Sequence, residues 1–430
     1  MTDQTTIAII GASFTGLPIA HGLLSHFHRS SSPPSNRIKL ILINPSPFFY
    51  WAIAAPRILA KPSAFTESQY LLPIAEGFSA YSADEFEFVL GKATSWDPTT
   101  QTIIVESPSP SPSPSTDTTT RQIPYHYLVI ASGSSTPATT PPTNETIYPV
   151  KALLTPSLPS AIHNAQSTIS SAKSILIAGA GPIGIELAGE LGDLIAQHHP
   201  TRELSVTLIS ATERLLPNLK PSAGKSAEDM LVSLGVRVIK GRRVVGATTS
   251  TKTNTNETPS TTIITLDNGD EMTADIYIPT TGVLPNNTFI PREFLNEAGW
   301  VKVTPELTVQ GLEGVYAAGD ITDHALKLAL KVKEMVPVVV GNLIDDIMSA
   351  SVGDVGAGGG KKNHCGGGGG GGSGSKRKTY VEGKDVSMVV PVGETGGTGQ
   401  LFGWVPWSFL VRVVKGRDFF IGKAREVVFP

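Results

Sequence analysis

The residues of this 430-residue chain that suit dinucleotide chemistry are two glycine clusters and a late Gly-Asp pair. The first cluster, Gly11-x-Ser13-x-x-Gly16, follows an apolar run at residues 7–10 and precedes a helix-forming stretch. The first residue permits a tight turn, a small second residue admits a pyrophosphate, and the last glycine lets helix and strand pack closely. The helix N-terminus then offers free N–H groups to phosphates. The spacing predicts a dinucleotide site, with a simple strand-to-helix turn as the alternative.

This first cluster departs from the usual pattern at two positions. Ser13 stands where a second glycine is usual, and Asn44 ends the next predicted strand where an Asp or Glu usually holds the ribose hydroxyls. An asparagine side chain both accepts and donates hydrogen bonds, but it lacks the strength that a charge adds. We therefore expect Ser13 and Asn44 to bind the cofactor more weakly than the usual residues would.

The second cluster, Gly179-x-Gly181-x-x-Gly184, is complete, and two such clusters make a chance match much less frequent. The strand after it ends at Ser210, so no carboxylate repels a 2′-phosphate, and Arg214 follows four residues later. Arg214 either pairs with that phosphate or is a solvated loop residue. The sequence therefore leaves both NADH and NADPH open.

Three charged residues are candidates for the reacting centre. Glu186 follows the second cluster and is either favoured by the helix dipole or orients the reacting flavin and nicotinamide rings. Asp320 follows a predicted strand and Gly319, and it either binds a ribityl hydroxyl, caps the next helix, or does both. Lys327, assigned to that next helix, either reaches the flavin or a substrate entrance or is simply exposed.

The elements that must position these residues form the same β-α-β unit twice. The predicted strand, helix and strand span residues 7–10, 17–27 and 38–43 in the first unit, and 174–178, 185–196 and 205–209 in the second. The predicted fold class is α/β, with two Rossmann-like dinucleotide-binding domains and a small α+β C-terminal module.

The predicted domains divide the chain at changes in composition. The predicted parts are a first part of an outer dinucleotide-binding domain (1–150), an inserted dinucleotide-binding domain (151–278), a second part of the outer domain (279–350), a Gly-rich linker (351–378) and a C-terminal interface module (379–430).

Composition excludes several function classes. Cys365 is the single cysteine, so a disulfide framework, a Cys-based zinc site and a redox cysteine pair are excluded, and we predict no metal site. Redox chemistry therefore requires a bound cofactor. The net charge of −3 offers no basic surface for nucleic acid.

One apolar stretch, residues 7–24, carries no Asp, Glu, Lys or Arg. Its order is a short β-branched run, then glycines, then helix formers, with no basic segment before it. That order is typical of a strand and a helix rather than of a signal peptide or a membrane span. We therefore expect a cytoplasmic protein without a signal peptide or a transmembrane segment.

Taken in order, the motifs resemble those of the flavoprotein reductases with two dinucleotide domains. Within them, the chain is most similar to the apoptosis-inducing-factor-like (AMID, ferroptosis-suppressor-like) NAD(P)H:quinone oxidoreductases. These belong to the pyridine nucleotide-disulfide oxidoreductase superfamily but lack its redox disulfide. Beside the two glycine clusters, the segments that carry the resemblance are Ala54-Ala55-Pro56-Arg57, Ala131-Ser132-Gly133, Thr281-Gly282-x-x-Pro285-Asn286, Ala318-Gly319-Asp320, Phe409-Leu410-Val411-Arg412 and Lys415-Gly416-Arg417-Asp418-Phe419-Phe420.

The resemblance implies FAD in the outer domain and NADH or NADPH in the inserted one. The residues that it assigns to FAD are Gly11, Ser13, Gly16, Arg57 and Asp320, with the backbone near Ala93 beside the adenine; Asn44 and Gly133 are further predicted cofactor-binding residues. It assigns Gly179, Gly181, Gly184 and Gly282 to the nicotinamide nucleotide. The chain does not begin Met-Gly, so the myristoyl anchor of some animal relatives is not expected.

The function that this implies is hydride transfer from NAD(P)H to flavin N5, followed by electron transfer to a quinone-like or small organic acceptor. One alternative is a flavin oxidase or tailoring enzyme of specialised metabolism. Another is a flavin-stabilised interaction or death-signalling protein whose turnover is incidental. Reduction of several quinones by NAD(P)H distinguishes the reductase from both.

The C-terminal module combines aromatic and basic residues. Trp404 and Trp407 stand among further apolar residues and are followed by Arg412, Lys415 and Arg417. This pattern suits peripheral contact with a membrane that carries a lipophilic quinone, and it equally suits a hydrophobic core or a dimer face. The sequence is compatible with a monomer or a homodimer.

Overall fold

The computed structural model describes residues 4–30, 36–108, 118–140, 146–153, 155, 157–198, 203–250, 261–354, 377–383 and 386–430. Most of the predicted Gly-rich linker, including Cys365, lies outside these residues.

The described residues form short strands and nine α-helices of very different lengths. The strands are β1 (Gln4–Ile10), β2 (Arg37–Asn44), β3 (Phe48–Tyr50), β4 (Leu71–Pro73), β5 (Phe86–Leu90), β6 (Lys92–Asp97), β7 (Thr102–Pro108), β8 (Thr118–Pro124), β9 (Tyr127–Ile130), β10 (Ser134–Ser135), β11 (Ser174–Ala178), β12 (Ser205–Ile209), β13 (Arg237–Ile239), β14 (Val244–Ser250), β15 (Thr261–Leu266), β16 (Glu271–Ala274), β17 (Ile276–Pro279), β18 (Leu284–Pro285), β19 (Val315–Ala317), β20 (Met388–Val392) and β21 (Gly396–Gln400). The helices are α1 (Gly16–Arg29), α2 (Ala55–Ala60), α3 (Glu67–Tyr70), α4 (Leu158–Ser171), α5 (Pro182–His198), α6 (Pro221–Ser233), α7 (Ala329–Asp354), α8 (Ser408–Val411) and α9 (Ala424–Val428).

The first sheet is parallel and has the strand order β19-β9-β1-β2-β5. Its central strands end in fully buried apolar runs, because helices and loops cover both faces of a parallel sheet of this kind. Helix α1 packs on this sheet through its buried face, which includes Leu17, Ile19 and Leu23.

The second sheet is also parallel, with the order β13-β12-β11-β17. Helix α5 follows β11 directly and packs against it with Ile185, Leu187 and Leu191, which are all buried. This sheet is built from residues between β9 and β19 of the first sheet, so the first Rossmann-like unit is interrupted by the second. The predicted α/β class with a split outer unit is confirmed, while the residue numbers of the domain boundaries stay predictions.

Three of the five smaller antiparallel sheets among the described residues extend these two units. Strands β6, β7 and β8 form one, and β14, β15 and β16 form another. The short pair β10 and β18 joins the chain leaving β9 to the chain leaving β17, and the side chain of Ser132 donates to the carbonyl of Asn286 beside it. The two parallel sheets are therefore tied together close to the ends of these strands.

The C-terminal module is a hairpin followed by short helices. The hairpin β20–β21 packs on α5, where Gly189 leaves room for the backbone of Val392 and Gly393. After α8 the chain forms one π-helical turn over Arg412–Gly416, a rare geometry that is often found at functional sites. The module therefore contacts the second Rossmann-like unit directly.

Both ends of the predicted linker are more ordered than its composition suggests. Helix α7 continues to Asp354, four residues into the segment 351–378, because extending an existing helix is easier than starting one. At the other end, Arg377 donates to the carboxylate of Asp346, and Asn342 bonds the backbone of Lys378 at 2.8 and 2.9 Å. Residues 351–354 are therefore helical and residues 377 and 378 make defined contacts, while the boundaries of the linker stay predictions.

Candidate functional site

The first sheet brings several predicted cofactor residues to one edge. Pairing aligns Ile10 with Ile43 and with Ile130, and aligns Ala317 with Ile130, so these parallel strands end together. The predicted residues that follow these strand ends are Gly11, Ser13, Asn44, Gly133 and Asp320.

The glycine turn at this edge has steric reasons for its composition. Gly11 has a φ of +105°, and a Cβ there would lie 2.3 Å from the carbonyl oxygen of Ala131. A Cβ on Gly16 would lie 1.7 Å from the carbonyl oxygen of Gly11. The fold therefore requires both glycines, whatever the turn binds.

Asn44 has a structural task in the same turn. Its Oδ1 accepts the N–H of Ala12 at 2.9 Å, and its Nδ2 donates to the carbonyl of Ser46 at 2.7 Å. A carboxylate could accept the first bond but could not donate the second. This explains why an amide replaces the acidic residue that the sequence pattern leads one to expect.

Asp320 is held by a lysine that the sequence analysis did not single out. Its Oδ2 accepts from Nζ of Lys151 at 2.7 Å and from Oγ of Ser134 at 2.8 Å. Burial raises the pKa of Asp320, but the charge and hydrogen bond of Lys151 outweigh burial and hold the pKa below its ordinary value. Asp320 lies in a 3-10 turn and does not cap α7, so the capping interpretation was wrong.

Lys327 precedes α7 rather than lying in it, because that helix begins at Ala329. Its Nζ donates to the carbonyl of Thr322 at 2.5 Å and lies 3.9 Å from the ring centroid of Trp300. Burial lowers the pKa of Lys327, and the nearby charge of Asp320 opposes this shift. Lys327 is thus half-buried and partnered rather than simply exposed.

The second sheet forms an equivalent edge. Gly179 has a φ of +114° and its N–H donates to the carbonyl of Ile209, while a Cβ on Gly184 would lie 1.9 Å from the carbonyl oxygen of Gly179. Thr280 follows β17 and donates to Ala178, so Gly282 comes to the same edge.

Three predicted glycines border open space at these two edges. A Cβ added to Gly133, Gly181 or Gly282 would meet no atom within 4 Å. The φ values of Gly133 (+67°) and Gly282 (+64°) already favour glycine, whereas neither packing nor φ requires glycine at Gly181. At all three positions the absent side chain leaves the backbone accessible to a ligand. This geometry fits a nucleotide at each edge: Gly11, Ser13, Gly133 and Asp320 for FAD, and Gly179, Gly181, Gly184 and Gly282 for NAD(P)H.

Glu186 forms a buried ion pair with the C-terminal module. Its Oε1 lies 2.6 Å from Nζ of Lys415, and both side chains are largely shielded from solvent. Burial raises the pKa of Glu186, and the ammonium of Lys415 opposes this shift. Glu186 lies beyond the first turn of α5, so its environment is set by Lys415 and burial rather than mainly by the helix dipole.

Arg57, a residue of α2, lies buried against α5 and the C-terminal module. It donates from Nε and Nη2 to the carboxylate of Glu190, and from Nη1 and Nη2 to the carbonyls of Arg417 and Gly416. Four of its five N–H bonds are thus used inside the protein. The FAD contact that the resemblance assigns to Arg57 stays a prediction.

The two remaining predicted residues lie at the margins. Ala93 is buried in β6 and pairs with Val105, and Gly91 just before it donates to the carbonyl of Asn44. Arg214 is exposed, and its Nη2 donates to the carbonyl of Pro217. The structure thus places Ala93 close to the first edge, and Arg214 stays a prediction for the second.

Sequence reasoning missed the lysines that neutralise buried carboxylates. Lys151 pairs with Asp320, and Lys61 pairs with Glu190 and Asp193. The available signal was weak: Lys151 is a single cation in a locally apolar segment, and Lys61 follows Arg57 by four residues in another. Such a lysine is indistinguishable from a surface lysine until its partner is known.

Among the described residues, no helix combines the length and the apolar character needed to cross a bilayer.

Comparison with known proteins agrees with the two-nucleotide architecture. The family described as pyridine nucleotide-disulphide oxidoreductase matches residues 5–335. The protein called oxidoreductase ptaL of Pestalotiopsis fici is 35% identical over 323 residues, which cover 74% of this chain and 77% of that protein.

Two more distant proteins match nearly the whole chain. Ferroptosis suppressor protein 1 of Taeniopygia guttata is 23% identical over 431 residues, covering 99% of this chain and 96% of that protein. The structure of the sulfide:quinone oxidoreductase from Aquifex aeolicus has a TM-score of 0.69 at 16% identity, covering 99% of this chain and 92% of that one. At this identity the structural likeness shows the fold alone.

Proposed function

Because the chain belongs to the pyridine nucleotide-disulphide oxidoreductase family, and is thus an FAD-dependent NAD(P)H oxidoreductase, we propose that it is an NAD(P)H:quinone oxidoreductase. When bound, FAD accepts the hydride of NAD(P)H and passes its electrons on. The net reaction transfers one hydride from NAD(P)H and one proton from solvent to a quinone, and it gives NAD(P)⁺ and a hydroquinone. We further propose that the chain is one of the apoptosis-inducing-factor-like members, because its motifs resemble theirs.

The observation that carries this proposal is the buried pair of Glu186 and Lys415. Helix α5, which bears Glu186, begins at the glycine turn proposed for the nicotinamide nucleotide, so the pair lies close to that site. In our proposal the Glu186 carboxylate orients the reacting rings. The ammonium of Lys415 supplies a hydrogen-bond donor where an acceptor gains negative charge.

The single cysteine supports direct transfer from the flavin to the acceptor. A thiol-disulfide relay needs two cysteines, and the chain has one. The name of the Aquifex aeolicus enzyme gives quinone as that protein's acceptor, and the fold is shared. A quinone accepts two electrons without a disulfide, which makes it a suitable class of acceptor here.

We further propose that a C-terminal aromatic patch docks on a lipid bilayer that carries the acceptor. Its members are Phe402, Trp404, Trp407, Phe409, Leu410 and Val413. The four aromatic side chains are 87%, 80%, 86% and 68% exposed, so they do not form a core. Exposed Arg412 and Arg417 follow them and complement an anionic lipid surface.

The patch and the Glu186–Lys415 pair are joined by a short stretch of chain. The π-helical turn that begins at Arg412 and exposes Val413 also contains Lys415, which points to Glu186. The proposed bilayer contact and Lys415 therefore belong to one short segment of the chain. This supports a quinone rather than a water-soluble acceptor.

The test is to purify the protein, record its flavin spectrum, and follow bleaching by NADH and by NADPH before adding acceptors. We expect a flavin spectrum, bleaching by at least one nucleotide, and recovery when a quinone is added. A protein that neither retains nor binds FAD would overturn the proposal.

The other outcomes separate the alternatives. Flavin reduction by an organic substrate but not by NAD(P)H would favour an oxidase or tailoring enzyme. Turnover far below about 1 s⁻¹ with every acceptor would favour an interaction protein, since enzymes commonly work at 1–10³ s⁻¹.

A further inference from the structure

The guanidinium of Arg57 connects helix α2 to helix α5 by two parallel hydrogen bonds. Its Nε lies 2.9 Å from Oε2 of Glu190, and its Nη2 lies 2.7 Å from Oε1 of the same carboxylate. Both side chains are buried, at 4% and 0% exposure. A two-pronged pair of this kind fixes orientation as well as distance.

The same guanidinium also holds the C-terminal module. Nη2 donates to the carbonyl of Gly416 and Nη1 to that of Arg417, each at 2.8 Å. Its central carbon lies 4.7 Å from the ring centroid of Phe419. Gly416 directly follows Lys415. Arg57 therefore binds the backbone next to Lys415, whose ammonium contacts Glu186.

Two carboxylates of α5, those of Glu186 and Glu190, form ion pairs at this junction. Glu186 and Glu190 are four residues apart on one helix, so they lie on the same face one turn apart. Lys415 binds Glu186. Arg57 binds Glu190 and also the carbonyls of Gly416 and Arg417. Movement of the C-terminal segment along α5 would have to break the Lys415–Glu186 pair and the hydrogen bonds of Arg57 to the carbonyls of Gly416 and Arg417.

The segment that is held in this way has an unfavourable backbone. Phe419 and Phe420 have φ values of 49° and 55°, in the left-handed region that bulky side chains avoid. Such a conformation persists only where surrounding contacts impose it. The carbonyl of Phe419 accepts from Nε1 of Trp51 at 2.9 Å, and the contacts from Arg57 lie directly beside it.

We propose that Arg57 and Glu190 are positioning residues that seat the ammonium of Lys415 on Glu186, rather than groups that bind FAD. Arg57 acts from the first Rossmann-like unit, Glu190 from the second, and both act on the C-terminal module. The proposed effect on flavin reduction rests on the function proposed above. The effect on the C-terminal segment and on FAD affinity does not.

Lys61 provides a matched control in the same junction. It lies on the same side of α5, and its Nζ lies 2.8 Å from both Asp193 and Glu394 and 3.0 Å from Glu190. Like Arg57 it is a buried cation between α2 and α5. Unlike Arg57 it makes no hydrogen bond to residues 415–417 among the described contacts. Lys61→Met therefore removes a comparable charge without releasing Lys415.

The experiment compares FAD-loaded wild type with Arg57→Met, Arg57→Lys, Glu190→Gln and Lys61→Met. Hydrogen exchange is measured in peptides that cover residues 408–420, and FAD affinity is measured by titration. Stopped-flow absorbance at increasing NADH gives the limiting rate of flavin reduction and the half-saturating concentration separately.

For Arg57→Met and Glu190→Gln we expect amide exchange in residues 412–420 to rise about tenfold or more. The limiting rate should fall about 100-fold, since small misplacements of reacting groups have effects of this size, while half-saturation by NADH changes little. FAD affinity should change less than about threefold. Arg57→Lys should recover part of the rate, and Lys61→Met should change exchange of residues 412–420 and the limiting rate far less than Arg57→Met does.

Three results would overturn the proposal. One is unchanged exchange of residues 412–420 in Arg57→Met, or in Glu190→Gln if Arg57→Met does not fold. Another is a large loss of FAD affinity in Arg57→Met alone, which would make Arg57 an FAD ligand. The third is an equal slowing by Lys61→Met, which would mean a general structural role.

If wild type is not reduced by NAD(P)H, the proposed function fails, and the exchange and FAD measurements still decide this proposal.

Discussion

Nζ of Lys415 lies 2.6 Å from Oε1 of Glu186, although 229 positions separate the two residues in the chain. The pair therefore fastens the C-terminal module to the helix that follows the second glycine turn. Because both groups are buried, the pair matters for stability as well as for chemistry.

Replacing Lys415 by Met should destabilise the protein more than replacing Glu186 by Gln. The first change leaves a buried carboxylate without a counter-charge, and breaking such a pair costs about 3–5 kcal/mol. The second leaves an ammonium that retains some access to water. Urea unfolding of the FAD-loaded variants measures both, and the double variant should recover part of the loss. Strictly additive losses would contradict this coupling.

Glu186→Gln should also slow flavin reduction by NAD(P)H while FAD stays bound.

The stability that Asp320 contributes should disappear at low pH. Its pKa is lowered in the folded protein: burial raises it, but Lys151 and Ser134 outweigh burial. A carboxylate with a lowered folded pKa stabilises the protein above its unfolded pKa, ordinarily about 3.9, and loses this contribution as pH falls through the folded value. The stability difference between wild type and Asp320→Asn should therefore be largest near neutral pH and shrink below about pH 4. A difference that does not depend on pH would contradict the ion pair.

Asp320→Ala should reduce the retention of FAD during purification. The residue follows Gly319 at the edge where the first glycine turn lies, and a Cβ on Gly319 would approach Thr15 of that turn within 2.3 Å. The ratio of flavin to protein absorbance measures retention. Asp346→Ala is the control, because Asp346 pairs with Arg377 elsewhere in the same unit. Equal loss of flavin in both variants would indicate a general loss of folding.

Two glycines of the second turn should respond differently to alanine. A Cβ on Gly184 would lie 1.9 Å from a backbone oxygen, so Gly184→Ala should destabilise the fold by about 1–3 kcal/mol or more. A Cβ on Gly181 would meet no atom, so Gly181→Ala should leave the melting temperature unchanged. It should instead raise the KM for NAD(P)H about tenfold, by obstructing the nucleotide. An unchanged KM in Gly181→Ala would place the nucleotide elsewhere.

The double change Trp404→Ala/Trp407→Ala should reduce binding to vesicles that contain anionic lipid. Each buried aromatic side chain contributes about 1.5–3 kcal/mol, so flotation should show a loss of tenfold or more. Added salt should weaken binding of the wild type because Arg412 and Arg417 lie beside the patch. Leu330→Ala is the control, since Leu330 is also exposed but lies outside the patch. Equal flotation of wild type and the double variant would rule out docking through these tryptophans.

Much of the architecture was predictable because it is encoded locally. The predicted strand at residues 7–10 lies within β1, and the predicted strand at residues 174–178 is β11. Each is followed by a glycine turn and a helix, as predicted. A turn such as the one at Gly11 is determined by sterics within a few residues. The two β-α-β units, and with them the fold class, could therefore be read from short segments.

The charged contacts were not predictable from the same information. Lys151 meets Asp320, and Arg57 meets Glu190, across 169 and 133 positions. Nothing close to these residues in the chain distinguishes a buried, paired charge from a solvated one. Asn44 is a partial exception, because its unusual identity marked the position, although only the structure explains the amide.

The sequence by itself determined where the chain turns, which segments are buried strands, and that a cofactor must replace the missing cysteine pair. The tertiary structure decided which distant charges share a buried space, and in particular that Arg57 and Lys415 meet the same face of α5. The reason is physical: backbone sterics and apolar periodicity act over a few residues, whereas a buried ion pair exists only where separate units pack together.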